Sequence, residues 1–283
     1  MNNWRPQLLA SQISLFMLVQ LLGLWVGLTI IRTVPLPKME AGPSVIWFLI
    51  IFVIATAGIL LALKFLKHKT PFGLLFAFLI FVGSDIVFST FVPWRALAIV
   101  LALSVVAMRF LWPNILTQNI AIIIAIAGVS AQLGALLPIA AIIIILVILS
   151  VYDVWAVFKT KHMVHMAKGL IQRGMTPMII SPNSWRDLTQ SMKTVTQEKL
   201  KTRKRKPSLR YMMLGTGDIA FPLVFAVSAL SQSIISAAAV IIGALVGIVV
   251  IHFLMISKKF KALPALPPIA AGSIIAFAIS LLI

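Results

Sequence analysis

Nine apolar stretches, each close to the ~20 residues that a helix needs to cross a bilayer, take up most of this chain. They lie at about 8–31, 45–63, 72–92, 94–112, 115–131, 135–158, 211–230, 234–255 and 266–283. Hydrophobic residues make up 61% of the sequence and charged residues 11%, whereas soluble domains are about half apolar and a quarter charged. The sequence therefore predicts an all-α, polytopic membrane protein with nine transmembrane helices.

The division between the fifth and sixth spans is set by small and turn-forming residues. The stretch 114–158 contains no basic residue and is too long for one crossing. Residues 132–134, which end in a glycine, are the predicted turn. Pro138 then falls in the first turn of the sixth helix, where a proline does least harm.

Basic residues are distributed unevenly between the two sides of the membrane. With nine spans, the N-terminus and the even-numbered loops share one side, which holds 21 of the 24 Lys and Arg residues. The positive-inside rule therefore predicts a cytoplasmic N-terminus, a cytoplasmic loop 159–210 and an external C-terminus. Nucleic acid is not an expected partner, because the basic residues lie between apolar runs rather than on one amphipathic surface.

Three parts follow from this plan: a six-span bundle (1–158), a basic loop (159–210) and a three-span part (211–283). The simplest interpretation of the loop is a linker that sets the topology. Within it, Trp185, Leu188 and Met192 recur at helical spacing, which favours a helix lying flat on anionic headgroups.

Metal and cofactor chemistry finds little support in the sequence. The chain has no cysteine, which excludes disulfides, thiolate metal sites and cysteine nucleophiles. His162 and His165 share a helical face, but no acid or cysteine is placed to complete a metal site with them. No metal and no cofactor are predicted.

Three acidic residues lie inside predicted spans: Asp85, Asp153 and Asp218. Placing a carboxylate in hydrocarbon costs at least ~2.5–3.5 kcal/mol of insertion free energy. Each of these acids is therefore expected to have a bonding partner or a functional role. Helix rise places Asp153 roughly 9 Å and Asp218 roughly 12 Å from the cytoplasmic boundary, so the two can face each other. Asp85 lies roughly 20 Å from that boundary and is predicted to be a helix-packing residue bonded to a neighbour.

Two facing carboxyl groups have a specific chemical use. They hold one proton between them, so that the charged partner activates a water while the protonated partner hydrogen-bonds a scissile carbonyl. Depth alone leaves two other interpretations open: a polar pair that joins two helices, and a proton pathway.

Three short motifs surround these acids. Asp218 closes Gly215-Thr216-Gly217-Asp218, Asp153 follows Tyr152, and Pro264-Ala265-Leu266 precedes the last span. Their order and spacing on a nine-span plan resemble the presenilin and signal peptide peptidase family of intramembrane aspartyl proteases, over essentially the whole chain. Residues 219–222 look more like signal peptide peptidases, whereas the charge distribution favours the presenilin orientation, as in a microbial or archaeal homologue.

The resemblance implies an aspartic endopeptidase that cleaves within transmembrane helices, with Asp153 and Asp218 as the catalytic pair. It also implies residues that shape the site or bind substrate: Tyr152, Gly215, Gly217, Pro264, Ala265 and Leu266. The implied partners are the lipid bilayer and substrates that are single-span membrane proteins or signal peptides. Whether the chain forms a homo-oligomer is left open.

Two other protein classes also use intramembrane acids. A proton- or ion-coupled secondary transporter predicts an internal repeat with a matching acidic site in each half, and the sequence contains no such repeat. Type IV prepilin-type peptidases share Gly-x-Gly-Asp. They are not expected to combine it with nine spans, Tyr-Asp and Pro-Ala-Leu.

Overall fold

The described part of the chain contains nine α-helices and one two-stranded sheet. The structure is a computed structural model, and it describes residues 6–34, 41–65, 70–160, 176–192, 211–256 and 264–282. The helices are α1 (Pro6–Thr33), α2 (Ala41–Phe65), α3 (Thr70–Phe91), α4 (Arg95–Leu111), α5 (Ile115–Leu136), α6 (Ile139–Trp155), α7 (Thr216–Ala229), α8 (Ile234–Ile256) and α9 (Leu266–Ser280). The strands are β1 (Met178–Pro182) and β2 (Tyr211–Gly215).

Apolar side chains cover the outside of the bundle. Trp47 and Leu74, for example, are 65% and 67% exposed, whereas Gln20, Gln118 and Asn119 are buried. Within the described residues, five helices are long and apolar enough to cross a membrane: α1, α3, α5, α6 with the turn after it, and α8. A protein surrounded by lipid needs this arrangement, with apolar side chains on the outside and polar side chains inside the bundle.

The fold class predicted from the sequence is confirmed, and each predicted span corresponds to one of the nine helices. The predicted turn at 132–134 is wrong, because α5 continues to Leu136 and the chain turns at Leu137 and Pro138. Gly134 has a packing role instead. A Cβ at this position would lie 2.6 Å from the carbonyl oxygen of Val224, so the glycine lets α5 approach α7 closely.

The seventh predicted span is helical only in part. Its first five residues form β2, and α7 begins at Thr216 and has 14 residues. An extended residue rises about 3.3 Å and a helical one 1.5 Å. Counted along the chain, β2 and α7 together therefore have about the length of a full span, roughly 37 Å by these rises.

The sheet lies against the beginning of α5. Strand β1 runs antiparallel to β2, with Ile180 opposite Met213. Met192 is buried with Ile115 and Ile180 in a small apolar cluster, and its N–H donates to the carbonyl of Pro113 over 3.0 Å. The predicted headgroup-facing helix is therefore wrong for Met192, because backbone hydrogen bonds to the α4–α5 turn hold its segment on the bundle.

Helices α8 and α9 pack through glycines. A Cβ on Gly243 would lie 2.1 Å from the carbonyl oxygen of Gly272, and one on Gly247 would lie 2.5 Å from the Cα of Ile269. Small residues spaced four apart allow this backbone contact, as in many membrane helix pairs. The contact fixes the position of the N-terminal end of α9, which belongs to the site described next.

Candidate active site

Asp153 lies near the end of α6, inside the bundle. Its side chain is buried, and the helix continues after Trp155 into a π-helical turn, Ala156–Thr160. Such turns are rare and occur frequently at functional sites. One oxygen of the carboxyl group, Oδ2, accepts a hydrogen bond of 3.3 Å from the backbone N–H of Leu266.

Asp218 lies in the first turn of α7, three residues after the helix-capping residue Gly215. Its carboxyl group lies beside Gly215, and the backbone N–H of Gly215 favours the ionised form. An acidic side chain at this position commonly bonds the N–H of the capping residue, and the helix dipole also favours a negative charge there. Because α7 begins only at Thr216, Asp218 receives both contributions.

The structure brings the two carboxyl groups together. Helices α6 and α7 pack against each other, and Asp153 lies close enough to Asp218 for their charges to repel. The depth estimate for Asp218 does not apply, because it used helical rise for residues 211–215, which are extended. Each carboxyl group instead meets a backbone N–H at a helix N-terminus: Asp218 at α7 and Asp153 at α9.

Leu266 is the residue through which Pro-Ala-Leu reaches Asp153. It is the first residue of α9 and is followed by Pro267 and Pro268, which have no N–H to donate. Among these first three helical residues only Leu266 carries an N–H, and that N–H points at Asp153. Ala265 caps the helix and Pro264 precedes it.

The glycines and the tyrosine of the motifs occupy different surroundings. A Cβ on Gly215 would lie 3.0 Å from Oδ2 of Asp218, so any larger residue would press on the carboxylate. The nearest atom to a Cβ on Gly217 would be in the Phe221 ring, at 3.7 Å, which is an ordinary contact. The Tyr152 ring lies 6.4 Å from that of Trp155, centroid to centroid, and its hydrogen-bonding role stays a prediction.

Gln20 is a buried residue beside the site that the sequence analysis missed. Its Nε2 donates to the carbonyl of Ile219, next to Asp218, over 3.0 Å. One turn further along α1, Gly23 lies against Leu223, with only 2.3 Å between its ideal Cβ position and Cδ2. A glutamine within the apolar α1 stretch is the signal that points to it, since amides within spans commonly bond across helices.

Asp85 is not part of the paired-carboxyl site. Its two oxygens accept hydrogen bonds of 2.8 Å each from Nη1 and Nη2 of Arg95, the first residue of α4. This two-pronged ion pair joins α3 to α4. The structure thus gives Asp85 the helix-packing partner that the sequence analysis predicted.

We expect Asp85→Asn to retain most proteolytic activity, because an amide can still accept one hydrogen bond from Arg95. The ion pair is partly exposed, so its loss should lower the melting temperature only slightly. Cleavage rate and thermal midpoint of the purified variant are the measurements. Complete inactivation of a folded Asp85→Asn protein would show that this carboxylate takes part in catalysis.

No metal site was predicted from the sequence. His162 and His165 lie outside the described residues. Within the residues that are described, no group of three His, Cys, Asp or Glu side chains is arranged to hold a metal ion.

An apolar helical bundle with two neighbouring carboxyl groups inside it is the arrangement expected of the class of intramembrane aspartyl proteases. A family model described as "Signal-peptide peptidase, presenilin aspartyl protease" matches residues 11–283. The chain therefore belongs to this family. It is an integral, multi-pass membrane protein and an aspartic endopeptidase.

Solved structures agree with this fold. The chain is similar to a presenilin family intramembrane aspartate protease solved in space group C222, with a TM-score of 0.68 and 19% identity over 97% of this chain and 98% of that one. A second structure of that description, in space group P2, gives 0.68 and 20% over 99% of both chains. No match was found among curated proteins.

Proposed function

We propose that Asp153 and Asp218 are the catalytic pair with which this protease hydrolyses peptide bonds inside transmembrane helices. One observation supports the assignment above all: two carboxyl groups interact between α6 and α7, each beside the N-terminus of a helix. Positive helix ends stabilise one negative charge in the pair, while repulsion disfavours a second. One shared proton is the state that aspartic proteolysis requires.

The chemistry follows from this protonation state. The ionised carboxyl group takes a proton from a water molecule as the water oxygen attacks the scissile carbonyl carbon, and the protonated group hydrogen-bonds the carbonyl oxygen. When the tetrahedral intermediate collapses, the carboxyl group that took the water proton passes it to the amide nitrogen, and the C–N bond breaks. A new carboxyl end and a new amine end leave the site.

The remaining motif residues shape the site in this proposal. Gly215 keeps space beside the Asp218 carboxylate, and Gly217 lets a substrate backbone come close. Pro264 and Ala265 form an irregular segment ahead of α9, where carbonyls released from helical bonding can pair with an unwound substrate. Leu266 orients Asp153, and Tyr152, directly before Asp153 on α6, borders the site.

The substrates we propose are single-span membrane proteins or signal peptides. Their helix must unwind locally, because intact helical bonds shield the carbonyl groups. The charge distribution places the N-terminus and the basic loop 159–210 in the cytoplasm and the C-terminus outside. First cuts should then fall in the cytoplasmic third of the substrate span, because helix rise places Asp153 roughly 9 Å from the cytoplasmic boundary.

Reconstitution tests this function. The purified chain is placed in liposomes with a single-span substrate, and mass spectrometry of the earliest products locates the cuts. We expect cuts within the span that a transition-state analogue of aspartyl proteolysis suppresses. Absence of cleavage, or cuts outside the span that the analogue does not affect, would contradict the proposed function.

The rate should depend on pH as a coupled pair does. Activity needs one proton between two carboxyl groups, so kcat should fall on the acid side, where both are protonated, and on the alkaline side, where both are ionised. Initial rates across the pH range in detergent provide the profile. A rate that rises steadily into alkaline solution would indicate a different nucleophile.

A further inference from the structure

Two adjacent amide side chains on α5 hold β1 in place. Asn119 is buried and bonds both backbone groups of Ile180: its Nδ2 donates to the carbonyl over 2.8 Å, and its Oδ1 accepts from the N–H over 3.0 Å. The side chain therefore occupies the place that a third strand would take. It bonds the edge of β1 that faces away from β2, where backbone groups would otherwise lack strand partners.

Gln118 makes a second contact with the same segment. Its Nε2 donates to the carbonyl of Thr176 over 2.5 Å, two residues before β1. Its Oε1 accepts from Nε of Arg109, a buried cation at the end of α4 that lies over the ring of Phe76. Arg109 thus fixes the orientation of the Gln118 amide. We call Gln118 and Asn119 the amide clamp.

The sheet carries this constraint to Asp218. Because the backbone groups of Ile180 bond Asn119, they face away from β2, and Ile180 and Met213 form a non-hydrogen-bonded pair. Hydrogen-bonded pairs alternate with such pairs along the two strands. In keeping with this alternation, the N–H of Thr216 donates to the carbonyl of Pro177 over 3.4 Å. Gly215, directly before, turns its N–H to the other side of the strand, and it lies against the Asp218 carboxyl group, with 3.0 Å between its ideal Cβ position and Oδ2. The clamp, β1, β2 and the catalytic carboxyl group therefore form one continuous series of contacts.

We propose that Asn119 and Gln118 are positioning residues for catalysis: they set the register and height of the sheet, and with it the place of Asp218 opposite Asp153. This inference rests on the proposed function of the two acids. A two-stranded sheet is marginal by itself, so its geometry needs support from outside. The amide clamp provides this support from α5. None of the hydrogen bonds described above joins α5 to either carboxyl group.

The test compares two variants of the clamp with a matched control in the purified full chain. Asn119→Leu removes both hydrogen bonds to Ile180, whereas Asn119→Asp retains an acceptor for the Ile180 N–H and loses the donor. Ser228→Ala is the control, because it removes a buried hydrogen bond of 2.8 Å from α7 to the Leu137 carbonyl, at the far end of that helix. The measurements are kcat, KM, thermal midpoint and affinity for a transition-state analogue.

We expect Asn119→Leu to lower kcat and analogue affinity at least about tenfold with KM nearly unchanged. Asn119→Asp should lie between it and the wild type. Ser228→Ala should lose a similar amount of thermal stability and keep its kcat.

An unchanged kcat in either folded Asn119 variant would overturn the inference. It would also be overturned if kcat fell in both Asn119→Leu and Ser228→Ala in proportion to the loss of thermal stability. If Asn119→Leu does not fold, Asn119→Asp decides. Wild type and Asp218→Asn are assayed alongside: an inactive wild type, or an active Asp218→Asn, refutes the proposed function rather than the clamp.

Discussion

Replacing either of the proposed catalytic acids, as Asp153→Asn or Asp218→Asn, should lower kcat at least about a thousandfold while the bundle stays folded. Asparagine has nearly the size of the protonated acid, so packing is preserved. It cannot take a proton from water, and it leaves the remaining carboxyl group without a partner to share its proton. The cleavage rate of a single-span substrate and the thermal midpoint of each variant are the measurements.

Asp85→Asn is the matched control for both variants, since it makes the same chemical change at the third acid within the helices. It should retain most of its activity, because Asp85 pairs with Arg95 rather than with Asp153 or Asp218. Substantial turnover by either folded Asp153→Asn or Asp218→Asn protein would remove that residue from the catalytic pair.

The second large effect is expected at Leu266, where a pair of variants separates the side chain from the backbone. Leu266→Ala removes the buried side chain and keeps the N–H that bonds Asp153. Leu266→Pro removes both, at the start of a helix where proline is tolerated. We expect kcat of the proline variant to be at least about tenfold below that of the alanine variant, since a buried acceptor without its donor costs about 1–3 kcal/mol.

Thermal midpoints control this comparison. The two variants should have similar midpoints, since both lose the same leucine contacts and the first turn of α9 already contains Pro267 and Pro268. Equal kcat values at equal stability would mean that the N–H of Leu266 does not contribute to catalysis. The Pro-Ala-Leu segment would then serve mainly to begin α9.

Much of the architecture follows from local patterns in the sequence. Apolar runs of bilayer length predicted the helices, because only helices satisfy the backbone of such runs in lipid. The three motifs likewise predicted which residues the fold gathers: Asp153, Asp218 and Leu266 do lie together. Their catalytic roles remain proposals.

The errors arise where one local pattern fits two structures. Gly134 was predicted to be in a turn, yet it lies in α5 because the close approach of α7 needs a residue without a side chain. Residues 211–215 form a short apolar run, which periodicity alone cannot assign to helix or strand. Their partner strand, 178–182, is some 30 residues away in the chain. Local sequence patterns do not predict which strands pair at that distance.

Polar side chains within apolar helices were the underused signal. Gln20, Gln118 and Asn119 interrupt spans that are otherwise almost wholly hydrophobic, and each bonds a backbone carbonyl near the site. The sequence shows that such side chains need partners inside the bundle. It does not show which partners, since those depend on how the helices pack.

The most direct test of the paired-acid mechanism is the cleavage rate of the double variant Asp153→Asn/Asp218→Asn beside the two single variants and the wild type. Residues that act as one catalytic unit lose nearly the whole rate when either is removed, so the second substitution adds little. We therefore predict that all three variants have the same residual rate. If the fold-loss in cleavage rate of the double variant equalled the product of the two single fold-losses, the two acids would act independently. That result would contradict a shared catalytic unit.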